Sequence, residues 1–494
     1  MSYPACVINL SQLDRLTLKL PTTLRNILRK IDDGGMGVVF FVDSKQTLLG
    51  VISDGDIRRD LLKGLTLEEE ISKDSNWFNG MPYKVKQNAQ LSELWKILNS
   101  GVSVVPIVDD EDRVIDFATK DKIRNIPILE PSIGNQEIVN LIECANSGWI
   151  SSQGRFISEF EGLFNQYFGV EDGSVAVSNG TVALHLALVT LGIGPGDEVL
   201  VPNFTFAASI NAIIHAGATP VLIDINPETW TIDMEEVGKS LSSSTKAIMP
   251  VHIYGQPAHI DEISNFARKN NLLVIEDCAE SLGATYKGRR VGLDGDCSCF
   301  SFFANKVITT GEGGMLLFRD PEKAAHAQIL RDHGMSTNKK YWHEYAGFNF
   351  RMTNMQASIG VAQMARIDDF RMLRKHIFDL YRKSLDGHPL IEFMPSNDWS
   401  ENSYWLFTIR IRGLNEKIRD ETLKKMSLRG IDARPGFYPL HLMKPYQEFR
   451  NKSGYSASIA ISANMISLPS SSNLKKNDIS YISNSLIEVL REIN

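Results

Sequence analysis

Lys306 poses the first chemical question in this 494-residue chain. It stands in CSCFSFFANKVITTGEGGM, residues 297–315, between an aromatic-rich, strand-like run and a Gly-Glu-Gly-Gly turn. Strands rich in Phe, Ile and Val bury their side chains, and a buried ammonium is costly unless it is paired or neutralised. A lysine that condenses with an aldehyde escapes that cost, because an imine-forming lysine is no longer a bare ammonium.

Pyridoxal phosphate is an aldehyde cofactor that asks four things of a protein: an imine-forming amine, an anion facing the pyridine nitrogen, a flat partner for the ring and donors for the phosphate. Upstream of Lys306, LLVIEDCAESLGA places Asp277 at the end of a buried strand, where a carboxylate keeps the ring nitrogen protonated. AVSNGTVALHLAL reads as a strand, a Gly-Thr turn and a helix, so Gly180 and Thr181 present backbone N–H groups to phosphate at the positive end of the helix. Phe206 in NFTFAAS supplies the flat face. Taken singly, Asp277 suits a turn and Lys306 a solvated edge; their joint occurrence in this order favours chemistry. His185, His252 and Cys278 read first as packed side chains, and Arg351 either pairs with a substrate phosphate or braces its loop.

These residues need a scaffold. From residue 125 onward, short apolar runs such as EVLVP, PVLIDI, KAIMPV and LLVIED alternate with helical stretches, which is the grammar of a mostly parallel sheet covered on both faces. Domains are expected at 125–387 (a large α/β domain) and 388–494 (a small α+β lobe, with YWLFTIRIR as a strand and IRDETLKKMSLRG as a helix). With 43% hydrophobic and 22% charged residues the composition is that of a folded chain. A formal net charge of −7 provides no basic field for nucleic acid, so an anionic ligand must be held by local donors. Five cysteines without CxxC spacing argue against a disulfide framework and a structural zinc site, and no metal site is expected. The N-terminus lacks a signal-peptide pattern and no apolar run is long enough for a bilayer, so a cytoplasmic protein is expected.

The segments GWISSQGRFISEFE, SNGTVALHLAL, IEDCAESLGA, SFFANKVITTGEGG and GFNFRMTNMQASIG resemble the DegT/DnrJ/EryC1/StrS family of sugar aminotransferases, which have the aspartate-aminotransferase fold, fold type I of the pyridoxal-phosphate enzymes. The resemblance implies that Lys306 is the cofactor-linked lysine and acid/base, and that Asp277 is the pyridinium partner. It also implies that Ser301, Gly180 and Thr181 hold phosphate, that Phe206 stacks on the ring and that Glu280 lies near the ring hydroxyl. Asn349 would reach the cofactor of a neighbouring subunit, which implies a homodimer. Glutamate is the implied amino donor and a nucleotide-linked keto sugar the acceptor. Around Lys306, Asn349 and Tyr438 the chain resembles the perosamine-synthase branch, which aminates C4 of GDP-4-keto-6-deoxymannose; UDP-linked and dTDP-linked sugars stay open. Arg434, Tyr438 and His441 are substrate contacts in this reading, or else lobe-packing residues.

Residues 1–124 follow another grammar. TLRNILRKI with MGVVFFVDSKQTLLGVISDGDIRRDLLKG, and LSELWKILNSG with VSVVPIVDDEDRVIDFATKDKI, each give a helix, an apolar strand, a polar turn, a second strand and a helix start. This internal repeat resembles a tandem pair of cystathionine-beta-synthase (CBS) domains. That resemblance implies a nucleotide at Ser53 and Asp56, where a hydroxyl meets phosphate and a carboxylate the ribose; in the second repeat Thr119 keeps the hydroxyl but Lys122 replaces the carboxylate. Alternatively Asp56 only caps the helix near Ile57 and the pair serves dimerisation. A nucleotide-sensing protein with a non-catalytic aminotransferase-like scaffold is the reading from another functional class.

Overall fold

Apolar runs bounded by Pro, Asp or Gly condense into one central sheet. The computed structural model describes residues 10–72, 75, 83–87, 89, 91–120, 126–450 and 454–493. The strands of that sheet are β1 (Ser174–Val177), β2 (Glu198–Pro202), β3 (Thr219–Ile223), β4 (Thr245–Ile248), β5 (Leu273–Asp277), β6 (Cys297–Ser301) and β7 (Gly314–Phe318). They lie in the order β3-β2-β4-β5-β6-β7-β1. Neighbours from β3 to β6 are parallel, whereas β7 runs antiparallel to both β6 and β1. The reason is local: the connection from Phe302 to Gly313 carries no helix to cross the sheet, so the chain returns beside β6 in the opposite sense.

Alternate residues of each strand enter two separate cores, as the two-residue period of a strand requires. Leu200, Ile223, Ile248, Val274 and Phe300 pack on one face, joined by Phe156, Phe160, Phe164 and Phe168 of helix Arg155–Phe168. Val199, Val201, Leu222, Ala247, Ile275 and Cys299 pack on the other, against helix α1 (Gly180–Thr190) and helix Ala208–His215. Near the C-terminus β8 (Ile391–Phe393), β9 (Phe407–Ile411), β10 (Arg434–Pro435) and β11 (Met465–Leu468) form a second sheet in the order β8-β9-β11-β10, preceded by the long helix α2 (Ile367–Leu385).

The described chain divides into two compact units, one running to Ile126 and taking in Lys425–Ile431, the other holding the remainder. In the first, the repeat read from sequence has a counterpart in strand pairing. Val38–Val42 lies between parallel Thr17–Lys19 and antiparallel Leu48–Ser53; Val104–Val108 lies likewise between Val85–Lys86 and Val114–Thr119. Each hairpin shifts register at the same place, between Phe41 and Val42 and between Ile107 and Val108. Each also turns one face to its own helix and the other to a shared core of Val38, Phe40, Val42, Val104, Val108 and Phe117. The expected cap differs. Helix Asp54–Leu62 is capped by Ser53, and Asp56 completes the capping box from the third helical position, because a serine side chain reaches the exposed N–H groups directly. Lys122 and the expected boundary at residue 124 lie outside the described residues. Among the described residues no helix is long and apolar enough to cross a membrane.

Candidate active site

In a sheet of parallel strands, ligands gather beyond the carboxyl ends, and β5 delivers Asp277 there as its last residue. Asp277 is buried; its Oδ2 accepts a 2.7 Å hydrogen bond from the Ser209 hydroxyl and its Oδ1 a 3.1 Å bond from the Ala279 N–H. Burial pushes this carboxyl above the usual range, and those two bonds and the positive charge of Lys306 only partly offset it. An ionised carboxylate here is short of a cation.

Lys306 stands past the end of β6, not within a strand: its backbone N–H donates to the Phe303 carbonyl at 2.9 Å, closing a turn. Its Nζ lies 3.8 Å from Glu280 Oε1 and 3.9 Å from the centroid of the Trp405 ring. Burial pushes the lysine below its ordinary range and Glu280 above its own, while the charge of each partner opposes the other's shift. Glu280 is fixed by the Tyr254 N–H, which donates to its Oε2 at 2.7 Å.

Helix α1 supplies the third component. Asn179 caps it, accepting from the Val182 N–H at 3.0 Å, so Gly180 and Thr181 form its first turn rather than a turn before it. Their N–H groups have no acceptor within the helix and point out of its positive end. A Cβ on Gly180 would stand 2.8 Å from the Ser301 Cβ and 3.1 Å from its Oγ. Glycine is what lets the helix start approach the end of β6.

A cavity of about 940 Å³ joins these groups. Every cofactor residue expected from sequence lines it except Asn349, which is exposed and accepts from the Arg351 guanidinium at 2.9 and 3.1 Å. Arg351 also pairs with Asp332 at 2.9 Å, so it braces its loop. Of the three expected substrate contacts, Arg434 lines the cavity. Tyr438 does not; its hydroxyl accepts from buried Arg419 at 2.9 Å. His441 takes the packing alternative: it is 3% exposed, stacked on Tyr455 and bonded to Asn203 Oδ1 at 3.1 Å, next to Leu440, which is buried in the core beside α1.

His252 is likewise internal. With Glu276 and Cys278 it forms a cluster spaced for a metal, yet Glu276 already accepts from the N–H groups of Gly292, Asp294 and Gly295, and His252 Nδ1 accepts from Ala258 N–H. The Glu276 lone pairs are committed to holding the loop after β5, and that of His252 to the segment after β4. His185 does line the cavity, its ring 5.1 Å from that of Phe348. Sequence reasoning missed Ser209, Tyr254 and Trp405. Asn179 had a legible signal, an Asn directly before a helix.

The residues present fit pyridoxal phosphate. One cavity offers an enclosed amine, a buried carboxylate, a glycine cradle at a helix N-terminus and the Phe206 ring, which is 60% exposed and free to be covered.

Fold and cavity together define an aminotransferase dependent on pyridoxal phosphate. The sequence pattern of the DegT/DnrJ/EryC1/StrS aminotransferase family matches residues 131–487, and the chain belongs to that family. It is 43% identical over 366 residues to a GDP-perosamine synthase of Caulobacter vibrioides, covering 74% of this chain and 98% of that one. It is 40% identical to a GDP-perosamine synthase of Escherichia coli O157:H7, covering 74% and 99%. Among solved structures, the putative sugar aminotransferase Spr1654 from Streptococcus pneumoniae in its PMP form superposes with a TM-score of 0.72 at 30% identity, covering 75% of this chain and 98% of that one. Residues before 131 stand outside the family match.

Proposed function

We propose that this enzyme transfers the amino group of glutamate to C4 of GDP-4-keto-6-deoxymannose, giving GDP-perosamine for a surface polysaccharide or glycan. The observation that carries the reading is 43% identity to a GDP-perosamine synthase over nearly its whole length. When bound, pyridoxal phosphate supplies the carbon that carries the amino group and the electron-poor ring that eases loss of a proton beside it. Lys306 Nζ takes and returns that proton, and burial, which lowers its affinity for protons, makes the free amine easier to reach. Asp277 holds the ring nitrogen protonated, and Gly180, Thr181 and Ser301 bind the phosphate. Phe206 covers the ring, Glu280 orients the ring hydroxyl and Arg434 faces the phosphates of the sugar nucleotide. Asn349 completes the site of a neighbouring copy in a homodimer, and the enzyme works in the cytoplasm.

Given glutamate and a panel of nucleotide-linked keto sugars, the GDP sugar should be aminated fastest, read as product mass. Faster turnover of a UDP-linked or dTDP-linked sugar would overturn the substrate and leave the transaminase standing.

The N-terminal unit is proposed to be a CBS pair that binds a regulatory nucleotide at Ser53 and Asp56. The repeated strand order and the repeated register shift support it. In the free protein these two side chains bond each other, Ser53 Oγ donating to Asp56 Oδ2 at 2.6 Å. Burial would raise the Asp56 carboxyl, but its bonds from Ser53 and Arg59 hold it below the usual range, so it is ionised and able to accept ribose hydroxyls. An adenine or guanine nucleotide at a hundred times its Kd should raise the unfolding temperature by mass action, and Asp56→Ala should abolish that rise. An unchanged rise in the variant would place the nucleotide elsewhere.

A further inference from the structure

The lysine rests on a ring that no sequence motif pointed to. Lys306 Nζ lies 3.9 Å from the centroid of the Trp405 indole, close enough for a cation to be attracted to the π face. The indole is 3% exposed and held by two contacts, and its backbone by a third. Its Nε1–H donates to the carbonyl of Asn305, the residue next to the lysine, at 2.6 Å. Tyr254 stacks on it, centroids 6.0 Å apart at 18°. From α2, buried Arg374 donates to the Trp405 carbonyl at 3.0 Å and to the Lys306 carbonyl at 3.1 Å.

Arg374 has no carboxylate partner among the described residues, and burial alone pushes its guanidinium down to about 10. Its Nε has no hydrogen-bond partner. A buried cation of this kind is costly, and its two bonds do one thing: they fix the backbone of the lysine and that of the tryptophan to a common point. The indole N–H adds a second tie from side chain to lysine loop. Geometry between amine and ring is therefore set from both ends.

We propose that the indole face of Trp405 is the seat on which the Lys306 amine rests whenever it is not joined to the cofactor, making Trp405 a positioning residue for the lysine. A four-carbon side chain released into a cavity of about 940 Å³ would otherwise wander among many rotamers. On the ring it stays beside Glu280 and within the field of Asp277, the charged groups that face it; Arg374 reaches only its carbonyl. The inference rests on the role proposed for Lys306 and is separable from it.

The test replaces Trp405 in the full-length protein with progressively fluorinated tryptophans, which keep shape and N–H but drain the π face. Acylation of Lys306 in cofactor-free protein is followed against pH by peptide mass spectrometry. Because the ring stabilises the ammonium, the midpoint should fall as fluorine is added, by about one pH unit for the most substituted ring. In the loaded enzyme kcat should fall about tenfold with the KM for glutamate unchanged. Trp405→Leu should give the largest shift of the midpoint; should it fail to fold, the fluorinated series decides alone. A midpoint that stays put across the series would overturn the seat even if Lys306→Ala is inactive, whereas an active Lys306→Ala would overturn the lysine's role itself.

Discussion

Lys306→Ala should lower kcat by at least about 10³-fold while the fold persists, since positioned acid–base groups contribute roughly 10²–10⁴-fold and this one also anchors the cofactor. The side chain makes one loose ion pair, 3.8 Å to Glu280, and one ring contact, so little packing is lost with it. Glu280 keeps its bond from the Tyr254 N–H and, already pushed toward its neutral form by burial, tolerates the loss of the cation. Steady-state rates with glutamate, alongside circular dichroism and an unfolding curve, check both halves. Near-normal multiple turnover would remove Lys306 from the chemistry.

Asp277→Asn should reduce turnover on the order of 10²-fold or more and at the same time stabilise the cofactor-free protein near neutral pH. The amide can keep the local bonds: Oδ1 accepts from Ala279 N–H, and the Ser209 hydroxyl turns to accept from Nδ2. What it loses is charge. For stability the sign follows from the native carboxyl being raised above its ordinary value of 3.8. Below that value the native and unfolded chains both hold the proton and the carboxyl makes stability no steeper in pH. As pH rises through the native value, the unfolded chain has already ionised while the native one must be stripped of its proton against burial, so stability falls. The variant lacks that loss. Its unfolding temperature should match the wild type in acid and exceed it at neutrality, and a wild type that is the more stable at pH 7 would contradict the burial cost. With cofactor bound the order should reverse, because the carboxylate then has its cation.

Much of this site could be read from the chain because its parts are local. Asp277 closes an apolar strand, Gly180 and Thr181 open a helix after an Asn, and Lys306 precedes a glycine turn; each carries its signal within a few neighbours. Trp405, Arg374 and Ser209 carry none. Trp405 reads as one more residue of an apolar run, and only the folding of the lobe brings it over a lysine about a hundred positions away. His441 stayed open between two readings for the converse reason, since a histidine among aromatic and apolar residues looks the same in sequence whether it faces a cavity or a core. The fold was legible where burial is two-sided, as in EVLVP, which is β2 to the residue. It was less so at ends: the aromatic run before Lys306 stops being strand at Ser301, and a serine took the cap assigned to Asp56.

The place of β1 bears on how the protein comes to exist at all. It is the first strand of the sheet in the chain, yet its partner within the sheet is β7, with Ser174 opposite Leu317 and Val177 opposite Gly314, and its other edge is met by Arg351, which bridges to Val177 from still later in the chain. At a synthesis rate of about 5–20 residues per second, β1 waits on the order of ten seconds for its partner to leave the ribosome. Meanwhile all four of its residues, buried in the finished sheet, have no mate. The nascent chain thus carries an unpaired, largely apolar segment until Gly314–Phe318 has been made, and helix α1, which follows β1 directly, cannot meet the end of β6 until Ser301 has been made. The phosphate cradle is built from the two ends of a long stretch of chain, so a product that stops before Ser301 lacks one wall of it.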